Sequence, residues 1–125
     1  MHTANPARVS TPFAGGRAPA WAAMESLCRS LSVECGVQGV RVVCLFTTAI
    51  PETPVIEAAF KELFEANAKA SGITWEQFNA AIVSNTHRKQ LTALKELTDA
   101  AVFAASDEGS AITGTILNLT AGMIV

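Results

Sequence analysis

Few residues of this 125-residue chain carry side chains that could do acid–base chemistry. Glu62 and Glu65 stand three residues apart on a predicted helix, which places both carboxylates on one face. An acid–base pair could use that spacing. Lys61 and Lys69 lie close to them, and mixed charges on a helix are typical of a solvent-exposed face. We therefore interpret this group as surface charge.

The cysteines and histidines do not form a recognisable ligand pattern. Cys28, Cys35 and Cys44 follow each other at spacings of seven and nine, which fits neither a disulfide framework nor a zinc site. Free cysteine usually behaves as a small buried hydrophobe, and we expect that of all three. His2 and His87 are isolated in the sequence, so no metal site is predicted.

The elements that would position reactive groups begin with a helix followed by a strand. Apolar side chains recur at spacings of three and four and predict a helix over residues 18–35, with one face formed by Trp21, Met24, Cys28, Leu31 and Cys35. Gly36 is expected to close this helix in a left-handed conformation, and Gly39 gives the turn a second flexible point. Residues 40–46 are apolar except for Arg41. Such a run is typical of a strand covered by helices on both faces.

The remaining segments predict more helices and one more strand. Residues 1–16 are rich in Pro, Gly, Ser and Thr and are expected to form a loop. Residues 55–70 form a helical pattern, and Thr74 and Thr92 are expected to cap two further helices. Residues 112–120 predict a last strand. The chain is therefore expected to form one α/β domain.

Composition excludes several classes of protein. Half of the residues are hydrophobic, 16% are charged and the net charge is −2, so there is no basic face for nucleic acid. No apolar stretch reaches the roughly 18 residues that a membrane helix needs, and the beginning of the sequence lacks a signal-peptide pattern. We expect no membrane partner, no nucleic-acid partner and a cytoplasmic location.

Three segments resemble the C-terminal half of the short-chain dehydrogenase/reductase superfamily. They are residues 29–34 (RSLSVE) followed by 39–42 (GVRV), residues 97–107 (LTDAAVFAASD), and residues 112–118 (ITGTILN) followed by Gly122. The resemblance implies an α/β fold, the C-terminal part of a Rossmann-type doubly wound parallel sheet. Residues 17–125 would form this unit and supply its last two strands, and residues 1–16 would be a loop or a truncated N-terminal segment.

The resemblance also implies where catalytic groups would stand, and this chain lacks them. The family's Tyr-x-x-x-Lys pair falls at Arg17 and Trp21, and the chain has no tyrosine at all. An arginine stays protonated and an indole N–H cannot shuttle a proton, so neither residue can replace the pair. The family's catalytic serine would fall near Ala4, and Ser10 and Thr11 are poorly placed for it. No catalytic residues are therefore predicted.

One cofactor-binding segment of the family is partly retained. Thr47 and Thr48 replace a Pro-Gly turn, and Thr53 lies one residue later than the family's threonine. With Ile50 they would form a remnant lip for the nicotinamide of NAD(P). Alternatively, these hydroxyls only cap the following helix. No Gly-x-Gly-x-x-Gly fingerprint occurs, so we expect the isolated chain to bind no cofactor, although NAD(P) is implied for a complete homologue.

Two functions of different class remain open at this point. The chain is either the C-terminal portion of an NAD(P)-dependent oxidoreductase, inactive alone, or a non-catalytic oligomerisation or interaction subunit of the same fold. In the superfamily that the chain resembles, subunits contact each other through the counterpart of the first helix predicted here, and through the counterparts of the last helix and strand. The expected partner is accordingly a second copy of this chain or a complete homologue.

Overall fold

A computed structural model describes residues 1–9, 15–68 and 71–124. Its centre is a parallel sheet of three strands in the order β1 (His2–Ala4), β2 (Val43–Thr47) and β3 (Thr115–Leu119). Thr3 is paired with Phe46, and Leu45 with Leu117. Helices flank this sheet, so the predicted α/β, Rossmann-type architecture is confirmed.

Strand β1 corrects the expectation that residues 1–16 form a loop contributing no strand. Residues 2–4 pair along β2, and a turn of 3-10 helix, Asn5–Ala7, follows. The backbone N–H of Leu45 also donates to the carbonyl of Met1 at 2.9 Å. A strand of three residues is too short to produce a periodic pattern, so only its pairing with β2 reveals it. The described part of the chain thus supplies three strands, where two were expected.

In the described parts of the chain, four α-helices connect the strands. They are α1 (Arg17–Gly36), α2 (Pro54–Leu63, continued by a π-helical turn, Phe64–Ala68), α3 (Trp75–Ser84) and α4 (Leu94–Ala105). The four predicted helices are confirmed in type and order. Residues 69 and 70, the end of the predicted second helix, lie outside the described residues.

Helices lie on both faces of the sheet, as the apolar run of β2 predicts. On one face, α1 places Cys28, which is fully buried, with its thiol 3.6 Å from the carbonyl oxygen of Val42. Burial raises the pKa of this thiol. On the opposite face, Val43 and Leu45 line a cavity together with Ala101 of α4. Successive side chains of a strand point to opposite faces, which explains how one strand serves both helices.

Arg41, the charge that interrupts the apolar run, binds the backbone between α4 and β3. Its guanidinium donates to the carbonyl oxygens of Ala104 at 2.6 Å and Gly109 at 2.8 Å, and further to those of Ser106 and Ile112. The carbonyl of Ala104 lies in the last turn of α4 and the other three follow it, and backbone acceptors at a helix end lack helical partners. The arginine therefore fixes the connection that leads into β3.

Three local expectations are corrected. Gly36 is the last residue of α1 rather than its left-handed closing residue, and Gly39 takes the positive φ of 74° instead. Thr92 does not cap α4, because Ala93 is the N-cap and the Thr92 hydroxyl donates to the carbonyl of Leu119 at 2.6 Å. Cys28 and Cys44 are buried as expected, but Cys35 is only half-buried.

Within the described residues, no helix has both the length and the apolar character required to cross a membrane.

Candidate functional site

A cavity of about 600 Å³ opens where β1 and β2 end. The carboxyl ends of parallel strands are where open α/β sheets bind ligands. The cavity is lined by all six residues that the sequence associated with a site, namely Arg17, Trp21, Thr47, Thr48, Ile50 and Thr53. The fold therefore brings the position of the missing catalytic pair and the expected cofactor lip to one place.

Arg17 and Trp21 stand one turn apart at the start of α1, where both line the cavity. Arg17 is exposed and Trp21 is half-buried. Ala4, near the expected position of the catalytic serine, also lines the cavity and has no hydroxyl. Ser10 and Thr11 lie outside the described residues.

The loop after β2 supplies the hydroxyl groups. Thr47, Thr48 and Ile50 are all nearly buried, with 1%, 4% and 6% of their surface exposed, whereas Thr53 is half-buried. Thr53 occupies the N-cap position of α2, but its hydroxyl donates backwards to the carbonyl of Ile50 at 2.9 Å and makes no side-chain cap. The alternative in which these hydroxyls serve only as helix caps is therefore wrong for the Thr53 side chain.

A group of polar side chains forms one end of the cavity. The ring Nε2 of His2 lies 2.8 Å from the Thr47 hydroxyl. Next to this pair, the Asn5 side-chain N–H group donates to the Thr48 hydroxyl at 3.3 Å and to the Met123 sulfur at 3.2 Å. All five residues line the cavity. Only the side-chain oxygen of Asn5 is buried without a hydrogen-bond partner among the described residues.

The surroundings of His2 favour the neutral form of its ring. Although part of its ring is exposed, desolvation by partial burial lowers its pKa, and the nearby N-terminal ammonium group acts in the same direction. A neutral imidazole has one donor and one acceptor nitrogen, so the ring of His2 can either donate a hydrogen bond to the Thr47 hydroxyl or accept one from it. No sequence pattern indicates this contact, because His2 meets Thr47 only through the pairing of β1 with β2.

The rest of the cavity wall is apolar. Ile56 and Phe60 of α2, Ile82 of α3, and Leu94 and Leu97 of α4 line it.

An aromatic cluster packs α2 and its π-helical turn against α3. The ring of Phe60 lies edge-on to that of Phe78, with centroids 6.3 Å apart, and Phe64 approaches the ring of Trp75 to 5.4 Å. These contacts hold together the two helices that carry the apolar wall. They lie in the segment between β2 and α4.

The two glutamates considered as an acid–base pair lie elsewhere. Glu62 and Glu65 are both exposed, and neither lines the cavity. Lys61 forms a salt bridge of 2.7 Å with Glu57 on the same helix. The interpretation as surface charge is confirmed.

Comparison with known families agrees with this geometry. Residues 3–124 match the family model described as enoyl-(acyl carrier protein) reductase. The match spans nearly the whole chain, so the chain belongs to this family of short-chain dehydrogenases/reductases. A comparison with curated proteins gives no match.

Solved structures of the superfamily have the same fold at low sequence identity. Sorbitol-6-phosphate 2-dehydrogenase from Erwinia amylovora is 21% identical, with a TM-score of 0.87 over 99% of this chain and 47% of that one. An NADPH-dependent reductase involved in bacilysin biosynthesis is 20% identical, with a TM-score of 0.84 over 98% of this chain and 45% of the other. A glucose/ribitol dehydrogenase-type member from Brucella melitensis is 21% identical, with a TM-score of 0.77 over 99% and 44%. The chain thus spans less than half the length of these structures.

Proposed function

We propose that this chain is the C-terminal portion of an NAD(P)-dependent oxidoreductase and provides the nicotinamide side of its active site. The observation that carries the proposal is a single cavity lined by Thr47, Thr48, Ile50 and Thr53 together with Arg17, at the carboxyl ends of two parallel strands. Its membership of the reductase family supports the reaction class. That a substrate is oxidised or reduced here, and that a longer protein completes the active site, are parts of the same proposal.

The cavity fits one half of the cofactor. When bound, NAD(P) supplies or accepts a hydride at its nicotinamide ring. Apolar side chains such as Ile50 can pack against that ring, and the Thr53 hydroxyl, whose hydrogen is used toward Ile50, can still accept a carboxamide N–H. The pyrophosphate half has no counterpart, since the sequence contains no Gly-x-Gly-x-x-Gly turn. The residues present therefore suit the nicotinamide and not the whole dinucleotide.

The same cavity lacks a group suited to moving the substrate's proton by the family's route. Arg17 remains protonated at neutral pH and the indole of Trp21 only donates a hydrogen bond. A proton-transfer group works best when its pKa lies near the working pH, which neither side chain meets. We therefore expect the isolated chain to show no dehydrogenase turnover.

Binding of the two halves of the cofactor tests the proposal. In ¹⁵N-labelled protein, nicotinamide mononucleotide should shift the backbone amide signals of Thr47, Thr48, Ile50 and Thr53, and AMP should not. Thr53→Val should weaken the response, because it removes the hydroxyl acceptor while keeping the shape of the side chain. Thr98→Val, an exposed position on α4, is the matched control. Equal shifts with AMP, or none with the mononucleotide, would overturn the proposal.

A second function is favoured by the exposed apolar surface. Only five apolar side chains among the described residues are buried, namely Cys28, Cys44, Phe46, Ile50 and Ala104. By contrast, Val33 and Val37 at the end of α1 are 78% and 89% exposed. Val33 and Val37 stand four residues apart, so they lie on the same side of the helix end, and adjoining exposed apolar side chains are typical of protein–protein contacts. As the alternative to a role in catalysis, we propose that the chain is an interaction subunit that contacts its partner through the end of α1.

Self-association through α1 can be measured directly. Sedimentation velocity of the purified chain should show an oligomer, and the double substitution Val33→Lys and Val37→Lys should convert it to monomer. Val55→Lys, at a 77% exposed valine on α2, is the control that should leave the assembly unchanged. A wild-type monomer at all concentrations would exclude a second copy as the partner and leave a complete homologue as the remaining candidate partner.

We also propose a cytoplasmic location for this chain. All three cysteines are unpaired, which supports it, because disulfides are rare in the cytoplasm.

A further inference from the structure

We propose that Glu52 is a positioning residue whose carboxylate holds the turn of residues 50–53 against the start of α4. The turn follows β2, and its two ends, Ile50 and Thr53, both line the cavity. Leu94, the first residue of α4, lines the same cavity. Glu52 thus fixes two parts of the cavity wall relative to each other. The consequence for binding of the nicotinamide rests on the proposed function.

A single hydrogen bond connects this turn to α4. The backbone N–H of Leu94 donates to the Glu52 carboxylate at 2.6 Å, across 42 residues of sequence. No other hydrogen bond joins residues 50–53 to α4 within the described parts of the chain. A carboxylate at this place also meets the positive end of the helix dipole, which favours the contact. Glu52 is therefore the polar link between the turn and the helix.

The turn is closed by its own hydrogen bonds. The backbone N–H and the side-chain hydroxyl of Thr53 both donate to the carbonyl of Ile50, at 3.1 Å and 2.9 Å. Between them, the ring of Pro51 fixes φ at the second position of the turn. We therefore expect the turn to move as one unit, so that the contact at Glu52 positions Ile50 and Thr53 together.

A second carboxylate at the start of α4 separates this role from simple helix capping. Glu96 accepts from the backbone N–H of Ala93 at 2.9 Å, but it belongs to α4 itself and does not line the cavity. Loss of either carboxylate removes one acceptor from the first N–H groups of the helix. Only the loss of Glu52 also releases the turn, so Glu96→Ala is the matched control for Glu52→Ala.

The order of the turn can be measured without a ligand. In ¹⁵N-labelled protein, the backbone order parameters of Ile50, Glu52 and Thr53 should be about 0.85 in the wild-type chain and fall below about 0.6 in Glu52→Ala. Glu96→Ala should keep the wild-type values. Glu52→Gln retains an oxygen acceptor without the charge, so its values should lie between those of the wild type and of Glu52→Ala. Circular dichroism should confirm that each variant is folded.

Titration with nicotinamide mononucleotide measures the effect on the cavity. Glu52→Ala should bind it about three- to tenfold more weakly, because affinity falls with the fraction of molecules whose turn is in place. Unchanged order parameters in Glu52→Ala, an equal fall in Glu96→Ala, or unchanged affinity for the mononucleotide in Glu52→Ala would overturn the role of Glu52. If the wild-type chain does not bind the mononucleotide, the proposed function fails, whereas the order parameters still decide whether Glu52 holds the turn.

Discussion

At the scale of single residues, the half-buried Arg41 shows how one charge can hold a connection of an α/β unit in place. Its guanidinium group donates to four backbone carbonyls, one in the last turn of α4 and three between α4 and β3. The sequence marked Arg41 only as an interruption of an apolar run. Its partners are more than sixty residues away, so no local pattern could identify them.

Replacing Arg41 should destabilise the fold strongly. Arg41→Met keeps much of the side-chain volume but leaves these carbonyls without their charged donor, and we expect a loss of about 3 kcal/mol in the free energy of unfolding. Arg41→Lys should lose less, because an ammonium group can still satisfy some of the acceptors. Urea titration followed by circular dichroism measures both. Arg29→Met, at an exposed position of α1, is the control, and an equal loss there would contradict the assignment.

Glu96 makes stability depend on acid pH. The Arg88 guanidinium donates to its carboxylate, and the backbone N–H of Ala93 adds a second hydrogen bond, so the pKa of Glu96 is lowered to about 2 from an ordinary value of 4.5. A carboxylate with a lowered pKa in the folded state stabilises the fold above pH 4.5, and this contribution is lost as the pH falls from 4.5 toward 2.

Glu96→Gln should therefore flatten the loss of stability between these pH values. The comparison is a series of urea titrations from neutral pH down to about pH 2. High salt should reduce the difference between wild type and variant, since the ion pair is open to solvent. Glu34→Gln, on an exposed position of α1, is the reference substitution. Parallel pH curves for wild type and Glu96→Gln would contradict this role of the carboxylate.

At the scale of elements, the helices could be predicted from the sequence where local periodicity and capping residues determine them. The start of α3 is the clearest case: Thr74 accepts from the backbone N–H of Gln77, and the Gln77 side chain accepts from the backbone N–H of Thr74. The start of α4 was misplaced by one residue. Thr92 looks like a cap in sequence, but its hydroxyl is drawn to β3, and Glu96 binds the free N–H of Ala93 instead.

The capping box of α3 should contribute measurably to stability. Thr74→Ala removes the acceptor for the Gln77 N–H and should cost about 1 kcal/mol. Differential scanning calorimetry gives the stability, with Thr98→Ala in the exposed middle of α4 as the control. A loss no greater than that of the control would count against the box.

At the scale of the whole molecule, the part of the site that follows from resemblance could be predicted and the part that depends on tertiary pairing could not. Arg17 and the loop residues Thr47 to Thr53 were identified because they occupy recognisable positions, and all of those predicted line the cavity. His2, Asn5 and Met123 were missed. They reach the site only because β1 pairs with β2 and the chain turns back after β3.

The proposed role of this chain is to contribute the nicotinamide side of an oxidoreductase site and not the side that holds the rest of the dinucleotide. The most direct test is a fluorescence titration comparing NADPH and NADH with reduced nicotinamide mononucleotide. We predict that each dinucleotide binds no more tightly than the mononucleotide, since the adenosine half finds no partner. Saturable micromolar binding of NADPH or NADH that is tighter than binding of the mononucleotide would contradict this role.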